Sequence, residues 1–170
     1  MKLPTQQIIN TLKRGGLVVM PTDTIYGVVA RARNDQALRR LARLKKRSAE
    51  KPFIILIGSR RDLLNFKIEL TPAQKKALTK LWPGSVSVIL DRRAFRLPCP
   101  IWLRRLLGET GPLAAPSANP EGAPPAQTIA EAKKYFGRRV SLYVDGGKIV
   151  GRASQLIRLT PDGQATVLRV

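Results

Sequence analysis

Phe53-Ile54-Ile55-Leu56-Ile57 is apolar at all five positions, and no other stretch restricts the fold as tightly. A strand with one wetted face alternates polar and apolar residues, whereas a run without alternation is buried on both faces. Such a strand belongs in the middle of a sheet, with other layers packed over it. The rest of the chain supplies those layers. Residues 17–20, 85–90, 112–115 and 140–144 read as further short strands, with 28–30 and 95–98 extended. Residues 5–14 read as a helix with Ile8, Ile9 and Leu12 on one face, ended by Gly15-Gly16. Asn34 caps a second helix over 35–46, apolar at Ala37, Leu38, Leu41, Ala42 and Leu44, basic at Arg39, Arg40, Arg43 and Lys46.

Ser59 opens a short helix through Leu64. Thr71-Pro72 starts another, with proline at the first helical position, and Trp82-Pro83-Gly84 ends it. Helices are also predicted over 101–107 and from Thr128 to Phe136. Residues 154–159 and 165–170 form a hairpin around Thr160-Pro161-Asp162-Gly163. The alternation predicts an α/β fold, an open twisted mixed sheet with helices packed on it, and the hairpin argues against a purely parallel sheet. No repeat, low-complexity tract or linker interrupts the chain, so residues 1–170 are expected to form one domain, a size that suits one sizeable core.

Composition narrows the chemistry. The chain has no histidine, which excludes histidine triads, histidine general bases and histidine metal ligands. The lone cysteine, Cys99 between Pro98 and Pro100, excludes an intrachain disulfide and fits a reducing compartment. No apolar run approaches the ~20 residues of a membrane span, and the polar first ten residues lack a signal-peptide core, so a cytoplasmic protein without a structural metal is expected. The formal charge of +20, from 31 Lys and Arg against 11 Asp and Glu, draws polyanions: nucleotides, pyrophosphate or RNA. A generally basic proteome produces the same excess.

No P-loop and no Gly-x-Gly-x-x-Gly follows a strand, so a nucleotide site needs another construction. Three polar loops follow strands, at 21–27, 116–122 and 145–154, and such loops often converge at one edge of an α/β sheet. Lys45-x-Arg47 ends the basic helix; arginine grips phosphate oxygens in pairs and lysine acts as a mobile point charge. Helix-end cations also gain about 0.3–1 kcal/mol from the macrodipole with no ligand at all. Ser117-x-Asn119, between two prolines, suits a preorganised polar contact or simple turn chemistry, and Pro21-Thr22-Asp23-Thr24 has the same two readings.

In this order, the motifs resemble the YrdC-like family of threonylcarbamoyl-AMP synthases, in the short form without an added C-terminal domain. The landmarks are Pro21-Thr-Asp-Thr-Ile-Tyr-Gly27, Leu44-Lys-Lys-Arg-Ser-Ala-Glu-Lys-Pro52, Trp82-Pro-Gly84, Phe95-Arg-Leu-Pro98, Ala115-Pro-Ser-Ala-Asn119, Asp145-Gly-Gly147 and a late strand at Ser154. The resemblance runs from Gly15 to Arg169. It implies synthesis of L-threonylcarbamoyladenylate from L-threonine, bicarbonate and ATP, with release of pyrophosphate, for threonylcarbamoyladenosine modification of tRNA.

It further implies that Lys45 and Arg47 hold the triphosphate and act in catalysis. Ser117, Asn119, Lys51 and Arg169 would contact the nucleotide; Thr24, Arg96 and Ser154 would hold threonine. Mg²⁺ would arrive with ATP rather than sit in a protein cage. Expected partners are tRNA, met through the basic surface, and the downstream tRNA threonylcarbamoyl-transfer machinery. Three positions depart from the family pattern: Leu56 where many members have histidine, Pro125 for a serine, and Arg158 for an acidic residue. The segment 91–94 is also short. Two alternatives stand beside this expectation: a catalytically inactive RNA-binding module using Arg39, Arg40 and Arg43, and a carbamoyl-adenylate-handling domain of the kind found in larger carbamoyltransferases.

Overall fold

A computed structural model describes residues 4–46 and 52–170. Its elements are α1 (Thr5–Lys13), β1 (Val18–Pro21), β2 (Tyr26–Arg31), α2 (Asp35–Lys45), β3 (Ile54–Leu56), α3 (Pro72–Leu81), β4 (Val86–Leu90), β5 (Arg93–Arg96), α4 (Ile101–Thr110), β6 (Leu113–Ala114), α5 (Ile129–Phe136), β7 (Leu142–Tyr143), β8 (Gln155–Leu159) and β9 (Ala165–Arg169). A 3-10 helix spans Arg60–Phe66, two residues beyond the expected end. Among the described residues the strands form one sheet in the order β7-β1-β2-β6-β3-β5-β4-β8-β9. β1–β7, β3–β5 and β4–β8 pair in parallel and the other neighbours antiparallel, so the sheet is mixed.

The apolar run at 53–57 is central, as its composition requires. β3 lies between β6 and β5. Successive side chains of a strand point to opposite faces, and this run divides accordingly. Leu56 is fully buried against α1 and α4, packed with Ile8, Ile9, Leu12, Leu103 and Leu107. Ile55, one residue earlier, faces the other layer beside Phe66 and Phe95. That second face carries α2 and α5 over Val19, Val28, Ala30 and Ala114. It continues as Leu63, Leu78 and Trp82 over Val88, Leu90 and Ile157. On the first face, α1 and α4 cover β1, β2 and β6 and reach β3 through Leu56. The part made by β3, β5, β4 and β8 stays open, and this uncovered half positions the site.

Local sequence explains the element ends. Asn34 Oδ1 accepts from Ala37 N at 2.9 Å and caps α2, and Lys46 ends it in the left-handed region. Thr71 caps α3 with Pro72 next, as expected. Two strands begin earlier than their sequences suggest. β2 starts at Tyr26, so only residues 22–25 turn the chain. β5 starts at Arg93 because Asp91 and Arg92 both have positive φ, at 43° and 65°. Positive φ at both central residues is the condition for a type I′ two-residue hairpin. The glycine and asparagine that usually announce this turn are absent. The short segment 91–94 is thus a tight β4–β5 hairpin that brings Arg96 into line beside Leu56 of β3.

Candidate functional site

The open half of the first face forms a cleft of about 370 Å³. Its floor is Ile54, Ile89, Ala94 and Leu156. Its polar lining includes Thr22, Thr24, Arg92, Arg96, Ser117, Ser154 and Arg169, gathered from the 22–25 turn, the β4–β5 turn, β5, the loop after β6, the residue before β8 and the end of β9. The three polar loops converge here. Ser117 bridges to Gly27, and Ala118 N donates to Tyr26 O at 2.8 Å. The Tyr26 hydroxyl donates to Gly147 O at 2.7 Å and accepts from Gly146 N at 2.7 Å. Burial pushes this phenol up from its ordinary pKa, the Gly146 hydrogen bond opposing and Asp145 assisting. Gly151 lies so close to the turn that an added Cβ would sit 2.2 Å from Thr24 O, which leaves room for no other residue there. A larger groove of about 560 Å³ lies on the opposite face, between α2 and the 3-10 helix. None of the expected site residues that the structure describes lines it.

Five expected site residues, Thr24, Arg96, Ser117, Ser154 and Arg169, line the one cleft. Arg96 is 3% exposed. Its Nη2 donates to Asp23 Oδ1 at 2.8 Å and approaches Thr24 Oγ1 at 3.5 Å. Burial pulls the guanidinium below its ordinary pKa, with Asp23 opposing and the nearby charge of Arg169 adding to the fall. Ser154 is 2% exposed, and its hydroxyl lies 2.8 Å from that of fully buried Ser87. Arg169 is exposed, with Nε and Nη2 on the Ser154 carbonyl at 3.3 and 2.8 Å. Arg96 and Arg169 thus bring guanidiniums of different character to one space, and Arg92 of the β4–β5 turn lines it as well.

Lys45 and Asn119 have a different placement: neither lines the cleft. Lys45 is 3% exposed and its ammonium turns onto the loop after β6. It donates to Ser117 O at 2.6 Å, to Asn119 O, and to Asn119 Oδ1 at 3.1 Å. Its own carbonyl accepts from Glu121 N at 2.8 Å. Asn119, 8% exposed, spends its amide on Pro120 O and Ala123 O. An ammonium has three protons, and three oxygens of this loop lie within hydrogen-bond reach of it. In this arrangement the lysine fixes Ser117 in place, and contact with a phosphate requires it to release a carbonyl. Arg47 and Lys51 lie outside the described residues. Lys46 is exposed at the helix end.

The departures from the family pattern also find their places. Leu56 is fully buried in the α1–α4 core and does not reach the cleft. Pro125 and Arg158 are exposed and line no part of it. Asp23, Tyr26, Ser87 and Gly151 hold the site together, yet the sequence reading singled out none of them as a site residue. Asp23 had a signal, as a carboxylate inside a polar loop of a chain with few acids. Ser87 had none, because its pairing with Ser154 is a contact between separate strands. Among the described residues no group of three His, Cys, Asp or Glu side chains is placed to hold a metal ion, and no helix is long and apolar enough to cross a membrane.

Known proteins resemble this chain throughout. It matches the Sua5/YciO/YrdC family, described as telomere recombination, over residues 10–170. It is 36% identical over 152 residues to the threonylcarbamoyl-AMP synthase of Thiobacillus denitrificans, covering 79% of each chain. P. abyssi Sua5 complexed with L-threonine superposes with a TM-score of 0.86 at 28% identity, covering 97% of this chain and 53% of that one. The chain thus spans about half the length of the P. abyssi protein. E. coli YciO superposes at 0.84 with 22% identity, covering 97% and 87%, a likeness of fold.

Proposed function

The chain belongs to the Sua5/YciO/YrdC family, and from that premise we propose that it synthesises L-threonylcarbamoyladenylate from L-threonine, bicarbonate and ATP, for the modification of tRNA. The observation that carries the reading is the cleft itself. Thr24, Arg96 and Ser154 stand in the same space as Ser117 and Arg169, so one cavity offers both an amino-acid end and an anion end. Threonine lies with its carboxylate on Arg96 and its hydroxyl end toward Thr24 and Ser154. The polyphosphate lies toward Ser117 and the exposed charge of Arg169, with Arg47 and Lys51 as further cations. Lys45 serves by holding the 116–122 loop.

The chemistry needs no histidine. The neutral threonine amine attacks the carbon of dissolved CO2, or of bicarbonate. As the N–C bond forms, a C=O π pair moves onto oxygen (from CO2) or the C–OH bond breaks and water leaves (from bicarbonate), and the nitrogen gives up a proton, leaving the carbamate. A carbamate oxygen then attacks the α-phosphorus of ATP, the bond from that phosphorus to the β-phosphate breaks, and pyrophosphate leaves with the electron pair. Holding three reactants in one cavity supplies much of the rate. Fixed guanidinium charge beside the leaving pyrophosphate supplies more. No described carboxylate lines the cleft, and Asp23 is paired with Arg96, so the Mg²⁺ that accompanies ATP is expected on phosphate and water oxygens.

The test is incubation of the protein with ATP, bicarbonate and labelled threonine. Pyrophosphate release that depends on threonine, with a labelled adenylate as product, is expected; release independent of threonine would defeat the reading. Direct contact with tRNA is proposed through Arg39 and Arg43, both exposed on α2. Arg40 contributes less, since its guanidinium is engaged by Gly15 O. Binding that weakens steeply with salt is expected, and salt-independent binding would remove these residues from the account.

A further inference from the structure

We propose that Asp23 is the positioning residue of the amino-acid subsite: by anchoring one edge of the Arg96 guanidinium from behind, it fixes how the remaining N–H groups meet the substrate carboxylate. The inference rests on the function proposed above and adds a residue to it.

The geometry has three parts. First, the two side chains are both buried, at 4% for Arg96 and 2% for Asp23, and joined at 2.8 Å. Arg96 lines the cleft and Asp23 does not, so a substrate meets the guanidinium and the carboxylate stays behind it. Second, the link is by one oxygen on one nitrogen. Arg96 Nε and Asp23 Oδ2 have no hydrogen-bond partner. The carboxylate therefore occupies only part of a group with five donors, and the rest stay uncommitted to it. Third, the partners come from opposite sides of the site. Asp23 sits on the 22–25 turn, and Arg96 closes β5, in register with Leu56. The same turn supplies Thr22 and Thr24, whose hydroxyls lie 3.3 Å apart. Gly151 presses on its far side at Thr24 O. One contact thus sets the guanidinium and the two hydroxyls at fixed positions relative to one another.

The pairing also separates the duties of Arg96 and Arg169. Asp23 balances the charge of Arg96 at the cleft floor, so Arg96 selects by the direction of its N–H groups. Arg169 is held by a neutral carbonyl and keeps its whole charge for a polyanion. Disturbing Asp23 should accordingly touch the amino acid and spare the nucleotide.

The experiment measures pyrophosphate release against threonine and against ATP for the wild type, D23N, D23E, R96K and D23N/R96K. D23N removes the charge in nearly the same shape. D23E keeps the charge and displaces the carboxylate by one methylene, so it carries the test if D23N does not fold. Either variant is expected to raise the KM for threonine by roughly tenfold or more, the scale of one charge-assisted hydrogen bond. The KM for ATP should stay within about twofold on the same scale. In the R96K background, D23N should add little, because the two residues act as a unit. A folded D23E with wild-type threonine KM overturns the proposal. So does an equal rise in both KM values, which marks a scaffold role, or a fall in kcat at unchanged KM, which marks direct action on the chemistry. A wild type that releases no threonine-dependent pyrophosphate defeats the proposed function instead, and this arm separates the two failures.

Discussion

Among the described residues two cations are buried, Arg96 and Lys45, and the protein balances them differently. Arg96 sits on a strand against the carboxylate of Asp23. Lys45 sits at the end of a helix against carbonyl and amide oxygens of Ser117 and Asn119. Arginine is planar and leaves donors free once one edge is fixed, whereas a lysine ammonium has three protons and here turns onto three oxygens of one loop. The first cation therefore lines the cleft, and the second is turned onto a loop. Spacing in the sequence does not distinguish these two uses of positive charge.

The comparison breaks most easily at Arg96. Arg96→Met leaves Asp23 buried without its cation, and unfolding measurements should show a loss of about 3–5 kcal/mol. The double variant Arg96→Met/Asp23→Leu removes both charges and should recover most of that stability while remaining inactive. Equal stability of the single and double variants would mean that the pair carries no such weight.

Lys45 sharpens the contrast. Lys45→Met keeps the stem and removes the ammonium, at a cost of about 1.5–3 kcal/mol for hydrogen bonds from a charged group. Its main kinetic effect should fall on the KM for ATP, because Ser117 loses its support. Asn119→Ala should act in the same direction, and the two changes together should cost less than their sum. Additive effects would show that Lys45 works through something other than the loop.

The smallest effect belongs to Tyr26. Burial raises its pKa, so the folded state holds this proton more tightly than the unfolded chain. The stability it contributes is whole below the unfolded value of about 10 and is lost as pH rises through the folded one. Tyr26→Phe should be destabilised by about 1 kcal/mol at neutral pH and should show a shallower decline above pH 10 than the wild type, followed by denaturant unfolding across that range. Parallel declines would assign the alkaline loss to other groups.

Much of the architecture was legible in the chain. The unbroken apolar run at 53–57 required a central strand, and the caps at Asn34 and Thr71 marked helix starts. The closing hairpin argued against a purely parallel sheet. The β4–β5 turn was not legible, because Asp91-Arg92 adopts positive φ without the usual residues. At the site, the motifs around Thr24, Arg96, Ser117, Ser154 and Arg169 named residues that share one cleft. Lys45 and Asn119 belonged to the same motifs but turned out to bind each other.

The sequence by itself determined the layers of the fold, the absence of histidine chemistry and the positive field, since these follow from residue type and period along one segment. Only the tertiary structure decided which cation faces the cleft and which is consumed within the protein. Asp23 and Arg96 are 73 residues apart, Lys45 and Asn119 are 74 apart, and Ser87 and Ser154 are 67 apart. Over such separations, hydrogen-bond partners are chosen by how strands and loops meet in space.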